Sequence, residues 1–234
     1  AERMEGKRAG FGDSEALRPV LEEIYREVLE ILETHFTACP YLFGGLPSIA
    51  DHALMGSLFG HLARDPEPSR VMKLRAPRVF RWTEHMNTPE ISMPEFAEFP
   101  AAYLPDDELS EPMRALLELC LSDVGAGMVR SAEIYNAWVK ENVDRPASSI
   151  ISPEGYDEAV VGHFEGRLRG IPVPMGVATY PLWVLQRGLE WFARQNDADK
   201  KVGRELMEQC GGSSLLDIRL ARRLTRVGSR MALE

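Results

Sequence analysis

A mostly α-helical fold is what this sequence predicts, on three observations. Apolar residues recur at three- and four-residue steps through most of its 234 residues. The segments patterned this way are longer than strands usually run. Cap-type residues and first-turn prolines stand ahead of several of them.

The bulk composition sets the bounds. With 44% hydrophobic and 27% charged residues, the chain has ordinary globular usage and enough apolar material for a real core. Its length leaves room for one large domain or two small ones. A net charge of −9 repels nucleic acid and anionic membrane unless a local basic patch overrides it. No apolar run reaches the roughly 18 residues that span a bilayer. The three cysteines, Cys39, Cys120 and Cys210, are isolated and show no CxxC spacing, which fits a reducing cytoplasm and excludes a zinc ribbon. The final Leu233-Glu234 has the look of a cloning junction and is set aside from the fold reading.

The first helix is expected from Ser14 to about Ala38. Asp13 or Ser14 can cap it, and Pro19 falls in the first turn, where a missing N–H costs little. Leu17, Val20, Leu21, Ile24, Val28, Ile31, Leu32 and His35 form one face, and Glu22, Glu23, Arg26, Glu27, Glu30 and Glu33 the other. The apolar loop from Cys39 to Pro47 follows. Ser48-Ile-Ala-Asp51 then has the form of a capping box, with Asp in place of the usual Glu. The helix it starts carries Ile49, Ala53, Leu54, Leu58, Phe59 and Leu62, and with so little polar face it is expected to be buried.

Asp65-Pro-Glu-Pro68 reads as a break, followed by helices at about Ser69–Lys73 and Pro77–His85. Residues 87–108, punctuated by Pro89, Pro94, Pro100 and Pro105, read as a domain boundary or a wrapping connection. Helices are expected over Ser110–Ser122 and Val124–Asn142, then a loop over Val143–Ser152. The glycine spacing between His163 and Pro174 suggests a short β-hairpin. Tyr180, Trp183, Val184, Leu185, Leu189, Trp191 and Phe192 mark a buried helix, with core favoured over a ligand pocket for the aromatics. Helices over 197–209 and 213–230, divided by Gly211-Gly212, complete the chain.

Few residues carry chemistry. His35 and Cys39 stand four apart, as metal ligands on one helix face would, but no second pair supplies the third and fourth ligands of a zinc site. Gly125-Ala-Gly127 lacks both the third glycine and the preceding strand of a dinucleotide loop, so close helix–helix approach is the better reading. No GxSxG elbow, Walker loop or HExxH occurs. Arg219, Arg222, Arg223, Arg226 and Arg230 fall on one face of the expected last helix, opposite Leu216, Leu220, Leu224, Val227 and Met231. Such a helix could bind an acidic partner or a membrane surface. Docking on this acidic protein's own carboxylates is the preferred expectation.

The run Pro40-Tyr-Leu-Phe-Gly-Gly45, followed after a small gap by Ser48-Ile-Ala-Asp51, resembles the segment joining the fifth and sixth helices of glutathione S-transferases. Ala76-Pro-Arg-Val-Phe-Arg-Trp-Thr-Glu-His-Met86 is similar to a later helix of that family. The resemblance covers roughly Ser14–Met86; beyond it, the layout is similar to the extension of larger bacterial transferase-like proteins.

The resemblance implies a glutathione transferase C-terminal-like helical bundle over residues 1–105, lacking its first helix. A helical extension with one short β-hairpin would fill 106–234. Ser48 and Asp51 would form the structural capping box that starts the buried central helix. Phe11, near the family's pocket-forming linker, is a candidate for the lining of the second-substrate pocket. No catalytic residue, metal or bound cofactor is assigned to this region. Glutathione would be the cosubstrate of a complete protein, held by an upstream thioredoxin-like domain that nothing before Ser14 can encode. A cytoplasmic homodimer that conjugates or reduces electrophiles is implied, with the chain inactive by itself. The alternative is a noncatalytic helical interaction module.

Overall fold

A computed structural model describes residues 14–88, 90, 93–152 and 159–234. Most of them are helical, and by contact the chain divides into two units. One holds residues 21–117; the other holds 118–234 together with the start of the first helix.

Helix α1 (Leu17–His35), most of which belongs to the first unit, begins where the Leu17 N–H donates to Ser14 Oγ at 3.2 Å. Its core side is Leu29 and Leu32, both fully buried, continued by Phe36 just past its end. Leu29 was absent from the apolar face read from sequence, whereas Leu21, which that face included, is 45% exposed. Around this seam pack Tyr41, Met72, Val79 and Trp82. Burying side chains of this size contributes about 1.5–3 kcal/mol each.

Helix α2 (Ile49–Ser57) continues into a π-helical turn over Leu58–Leu62. The expectation that it is buried is corrected: Leu58 is inside, but Ile49 is 85% exposed and His52, Ala53, Gly56 and Gly60 face outward. A side chain added at Gly56 or Gly60 would meet nothing within 4 Å among the described residues. The helix lacks polar residues because much of its outer face is small, not because that face is packed.

The Asp65-Pro-Glu-Pro68 segment does not break the chain as expected. Asp65 precedes α3 (Pro66–Arg75), and the prolines occupy its first turn, where they are tolerated. Helix α4 (Pro77–His85) follows at once. The proline-punctuated stretch after it forms short 3₁₀ turns at Pro94–Phe96 and Pro105–Asp107. It ties back onto the apolar loop: Gly45 N–H donates to the Ala102 carbonyl at 2.8 Å, and Leu104 N–H to that of Phe43 at 2.9 Å. Gly45 has no room for a side chain there, since a Cβ would stand 1.9 Å from the Pro100 oxygen.

Helix α5 (Glu111–Glu141) runs 31 residues without interruption, so the break expected near Asp123 is absent. Its C-terminal part belongs to the second unit. A Cβ added at Gly127 would stand 3.4 Å from the Met175 methyl and one at Gly125 would meet nothing within 4 Å among the described residues, so neither glycine marks the close helix–helix approach expected for this pair. Strands β1 (Val160–Leu168) and β2 (Ile171–Ala178) form an antiparallel hairpin, longer at both ends than the sequence suggested. Arg169 and Gly170 turn it with φ of 47° and 84°.

Helix α6 (Thr179–Ala193) is not the buried helix its aromatics implied. Thr179, Leu182 and Gln186 are its buried residues, while Tyr180 and Trp191 are 45% and 65% exposed. Helix α7 (Asp197–Gln209) is capped by Asn196, whose Oδ1 accepts from the Asp199 N–H at 3.0 Å.

The last expected helix is corrected most. Only α8 (Ser213–Leu216) is helical, and residues 217–223 form an irregular strap. Strands β3 (Leu224–Val227) and β4 (Arg230–Leu233) then form a second hairpin. Gly228 turns it at φ 62°. Leu233, set aside on sequence, is fully buried opposite Leu224, and its N–H donates to the Ser149 carbonyl at 3.1 Å.

Candidate functional site

Ser48 and Asp51 fall in the first unit. Ser48 Oγ accepts from the Asp51 N–H at 3.3 Å, and Asp51 Oδ2 accepts from the Ser48 N–H at 2.8 Å, completing a capping box. Asp51 is fully buried, and both of its carboxylate oxygens accept hydrogen bonds. It also accepts from Ser48 Oγ at 2.6 Å and, through Oδ1, from the Leu42 N–H at 3.0 Å. One carboxylate thereby holds both the N-terminus of α2 and the apolar loop before it. Phe11 lies outside the described residues.

His35 stands on the other side of that loop. Its Nε2 lies 2.9 Å from the Tyr41 carbonyl, which can only accept, so Nε2 carries the proton and Nδ1 accepts from Ser110 Oγ at 3.1 Å. Burial lowers the His35 pKa below its ordinary value, against the opposing pull of the Tyr41 carbonyl and Asp51. The buried Cys39 thiol points to the Gly44 carbonyl at 3.5 Å, and burial pushes its pKa up. His35 and Cys39 are thus both engaged with backbone oxygens. Among the described residues no group of three His, Cys, Asp or Glu side chains could hold a metal ion.

Beside this hub lies a groove of about 490 Å³. Its floor is apolar: Phe36, Pro40, Trp82, Met93, Pro94 and Phe96. Phe36 and Trp82 stack with ring centroids 5.1 Å apart and planes 21° from parallel. The Trp82 Nε1–H is buried and has no partner among the described residues. His85 at the edge is fixed from below, its Nε2 being 3.1 Å from the Tyr41 hydroxyl.

The charged rim is internally neutralised. Glu33 accepts from the N–H groups of Arg78 and Val79 at 2.8 and 3.2 Å, at the start of α4, and also pairs with the Arg78 guanidinium at 2.8 Å. A carboxylate at that position satisfies donors that the first helical turn leaves open. Arg81 pairs with Glu95 across the groove mouth, and Glu84 with Arg64 at 3.8 Å. What remains open to a ligand is apolar and carries little net charge.

The aromatic part of this groove had a sequence signal in the Pro77–His85 helix. Met93 and Phe96 had none, because the stretch that delivers them has no periodicity. Cys39, Cys120, Tyr25 and Tyr41 are shifted away from the ionised, nucleophilic form. Burial raises Cys39 and Tyr41, holds Tyr25 up at about 12, and partial desolvation with the nearby Asp123 raises Cys120, although that residue as a whole is exposed.

No curated protein and no solved structure matches the chain. A family model does: residues 6–90 match the glutathione S-transferase, C-terminal domain. The capping box, the apolar loop it anchors and the α4 wall of the groove all lie inside that span, so this part of the chain is similar to the glutathione S-transferase C-terminal domain.

Proposed function

We propose that this chain is the helical part of a glutathione transferase-like protein, in which the groove beside α4 receives an apolar electrophile. Glutathione would be held and activated by a thioredoxin-like domain upstream. The observation that carries the reading is the pairing of an apolar floor with a self-neutralised rim. Such a groove suits an uncharged aromatic or aliphatic compound and offers nothing to the charges of a tripeptide. Lowering a sulfur pKa requires hydrogen-bond donors or positive charge, and Cys39 and Cys120 are shifted the other way. Thiolate chemistry therefore belongs to another domain. In this reading Ser48 and Asp51 are structural, holding α2 and the loop that floors the groove, and the protein works as a cytoplasmic homodimer.

The test is binding without turnover. The 234-residue chain should bind 1-chloro-2,4-dinitrobenzene with quenching of tryptophan emission. Phe96→Asp should weaken that binding about tenfold by placing a charge on the apolar floor. Glutathione alone should produce no binding heat, and the mixture no conjugate. Turnover by the chain alone, or glutathione affinity unaffected by any second domain, would overturn the proposal. Intact mass of the protein from its native source sharpens it. A value above 26.3 kDa by the size of a small domain favours the transferase reading. A value at 26.3 kDa favours the noncatalytic interaction module, for which the outward face of α2 (Ile49, Ala53 and Gly56) would be the available surface.

A further inference from the structure

The C-terminal unit holds a second cavity, outside the family match and unrelated to the groove above. It measures about 430 Å³, within the roughly 300–1,000 Å³ of small-molecule sites. Leu185, Leu189 and Phe192 of α6 form one wall, and Leu216, Ile218 and Leu220 of α8 and the strap form the other. The strap has no regular structure, yet it is pinned. Asn136 Nδ2 donates to the Arg219 carbonyl at 2.9 Å while its Oδ1 accepts from the Ala221 N–H at 2.7 Å. At the next residue, the Tyr135 hydroxyl donates to the Arg222 carbonyl at 2.8 Å. The cavity wall is therefore built, not a gap between loose segments.

Its rim is cationic. Lys200 and Arg204, one turn apart on α7, face Arg219 and Arg223 from the strap, and Glu190 is the one carboxylate in the lining. Glu190 is already taken by Arg223 at 2.8 Å, and Arg223 is further paired with Glu234 at 2.6 Å. Lys200, Arg204 and Arg219 have no ion pair among the described residues; Arg219 donates to the Leu216 and Ile218 carbonyls, and Arg204 lies 5.7 Å from the Phe192 ring centroid. Three unpaired cations around one apolar cavity stand out in a chain of net charge −9, where carboxylates are in surplus.

We infer that this cavity binds a monomeric amphipathic carboxylate, a medium-chain fatty acid or its aromatic equivalent. The apolar body fills the space between α6 and the strap. The carboxylate sits between Lys200, Arg204 and Arg219, which can each donate a charge-assisted hydrogen bond. Gln186 plays no part in recognition, because both ends of its amide are used on the Leu224 backbone.

Calorimetric titration of the chain with decanoate tests this, beside decyltrimethylammonium of the same length. Decanoate should bind one per chain and at least about tenfold more tightly than the cation, with affinity falling as salt is raised. The double variant Lys200→Glu/Arg204→Glu should lose about tenfold in decanoate affinity with an unchanged far-ultraviolet spectrum, since Arg204 is exposed and Lys200 half-buried. Leu189→Trp, which fills the cavity without touching the charges, should also abolish binding. Equal binding of the two amphiphiles, or indifference to both variants, would overturn the inference. So would charge-dependent binding to phosphatidylglycerol vesicles in the absence of decanoate binding, which would assign the cations to a membrane surface.

Discussion

Residues 21–117 and residues 118–234 answer differently to the same reading of hydrophobic period. In the first unit the period is honest about element type: α1 and α4 lie where three- and four-residue spacing put them, and the errors concern which face is covered. In the second unit the period finds α6 and α7 but misidentifies the last segment itself. Leu220, Leu224, Val227 and Met231 keep helical spacing, yet they lie in a strap and two strands. The contrast teaches that spacing is informative when a segment also carries its own start and stop signals. Ser48 and Pro77 supply starts in the first unit, whereas the segment after Gly212 has no capping side chain.

The largest expected effect tests the first unit's dependence on its start signal. Asp51→Ala removes a fully buried carboxylate and strands the Ser48 and Leu42 N–H donors. Hydrogen bonds to a charged acceptor and the stranded donors together put the loss at about 3–5 kcal/mol. Urea unfolding should show it. A loss below about 1 kcal/mol, the value of an ordinary surface cap, would mean that the box merely decorates α2.

Next comes Leu233→Ala, which sharpens the comparison from the other side. A residue that reads as a cloning scar should tolerate truncation. A side chain that is fully buried opposite Leu224 should cost about 2–4 kcal/mol when cut back to its Cβ. Thermal unfolding of the variant against the parent decides between the two.

These two cases show what was legible. The capping box could be read because it is local: four consecutive residues specify both partners of both hydrogen bonds. The groove beside α4 was half legible, since Trp82 sits in a patterned helix while Met93 and Phe96 come from an aperiodic stretch. The cavity under the strap was not legible at all. Its arginines recur at helical spacing, which puts them on a helix face. Their actual position depends on Tyr135 and Asn136, more than eighty residues away in sequence. The first hairpin was seen because its glycines are dense; the second was missed although Val227-Gly-Ser-Arg230 has the form of a two-residue turn.

A smaller effect is pH dependence from His35, confined to the first unit. Its pKa is lowered in the folded state, first by burial, so the folded protein holds the neutral ring where the unfolded chain binds a proton. The stabilisation is fully present above the ordinary histidine pKa of about 6.5 and is lost as pH falls through the depressed folded value. The slope should approach 1.4 kcal/mol per pH unit at most, and His35→Gln should flatten it. A slope of the same size in that variant would assign it to other groups.

The smallest effect discriminates by sign. If the last segment were the arginine-faced helix that its spacing suggests, Gly228→Ala would stabilise it by about 1 kcal/mol, because alanine loses less backbone freedom in a helix. In the hairpin, Gly228 holds φ at 62°, where an added Cβ crowds the following carbonyl, and the same substitution should destabilise by about 1 kcal/mol. A side chain there meets nothing within 4 Å among the described residues, so no packing gain offsets the backbone term. The sign in denaturant unfolding thus reports the turn alone. A stabilising result would return residues 213–230 to a helix and remove the strap on which the carboxylate cavity depends.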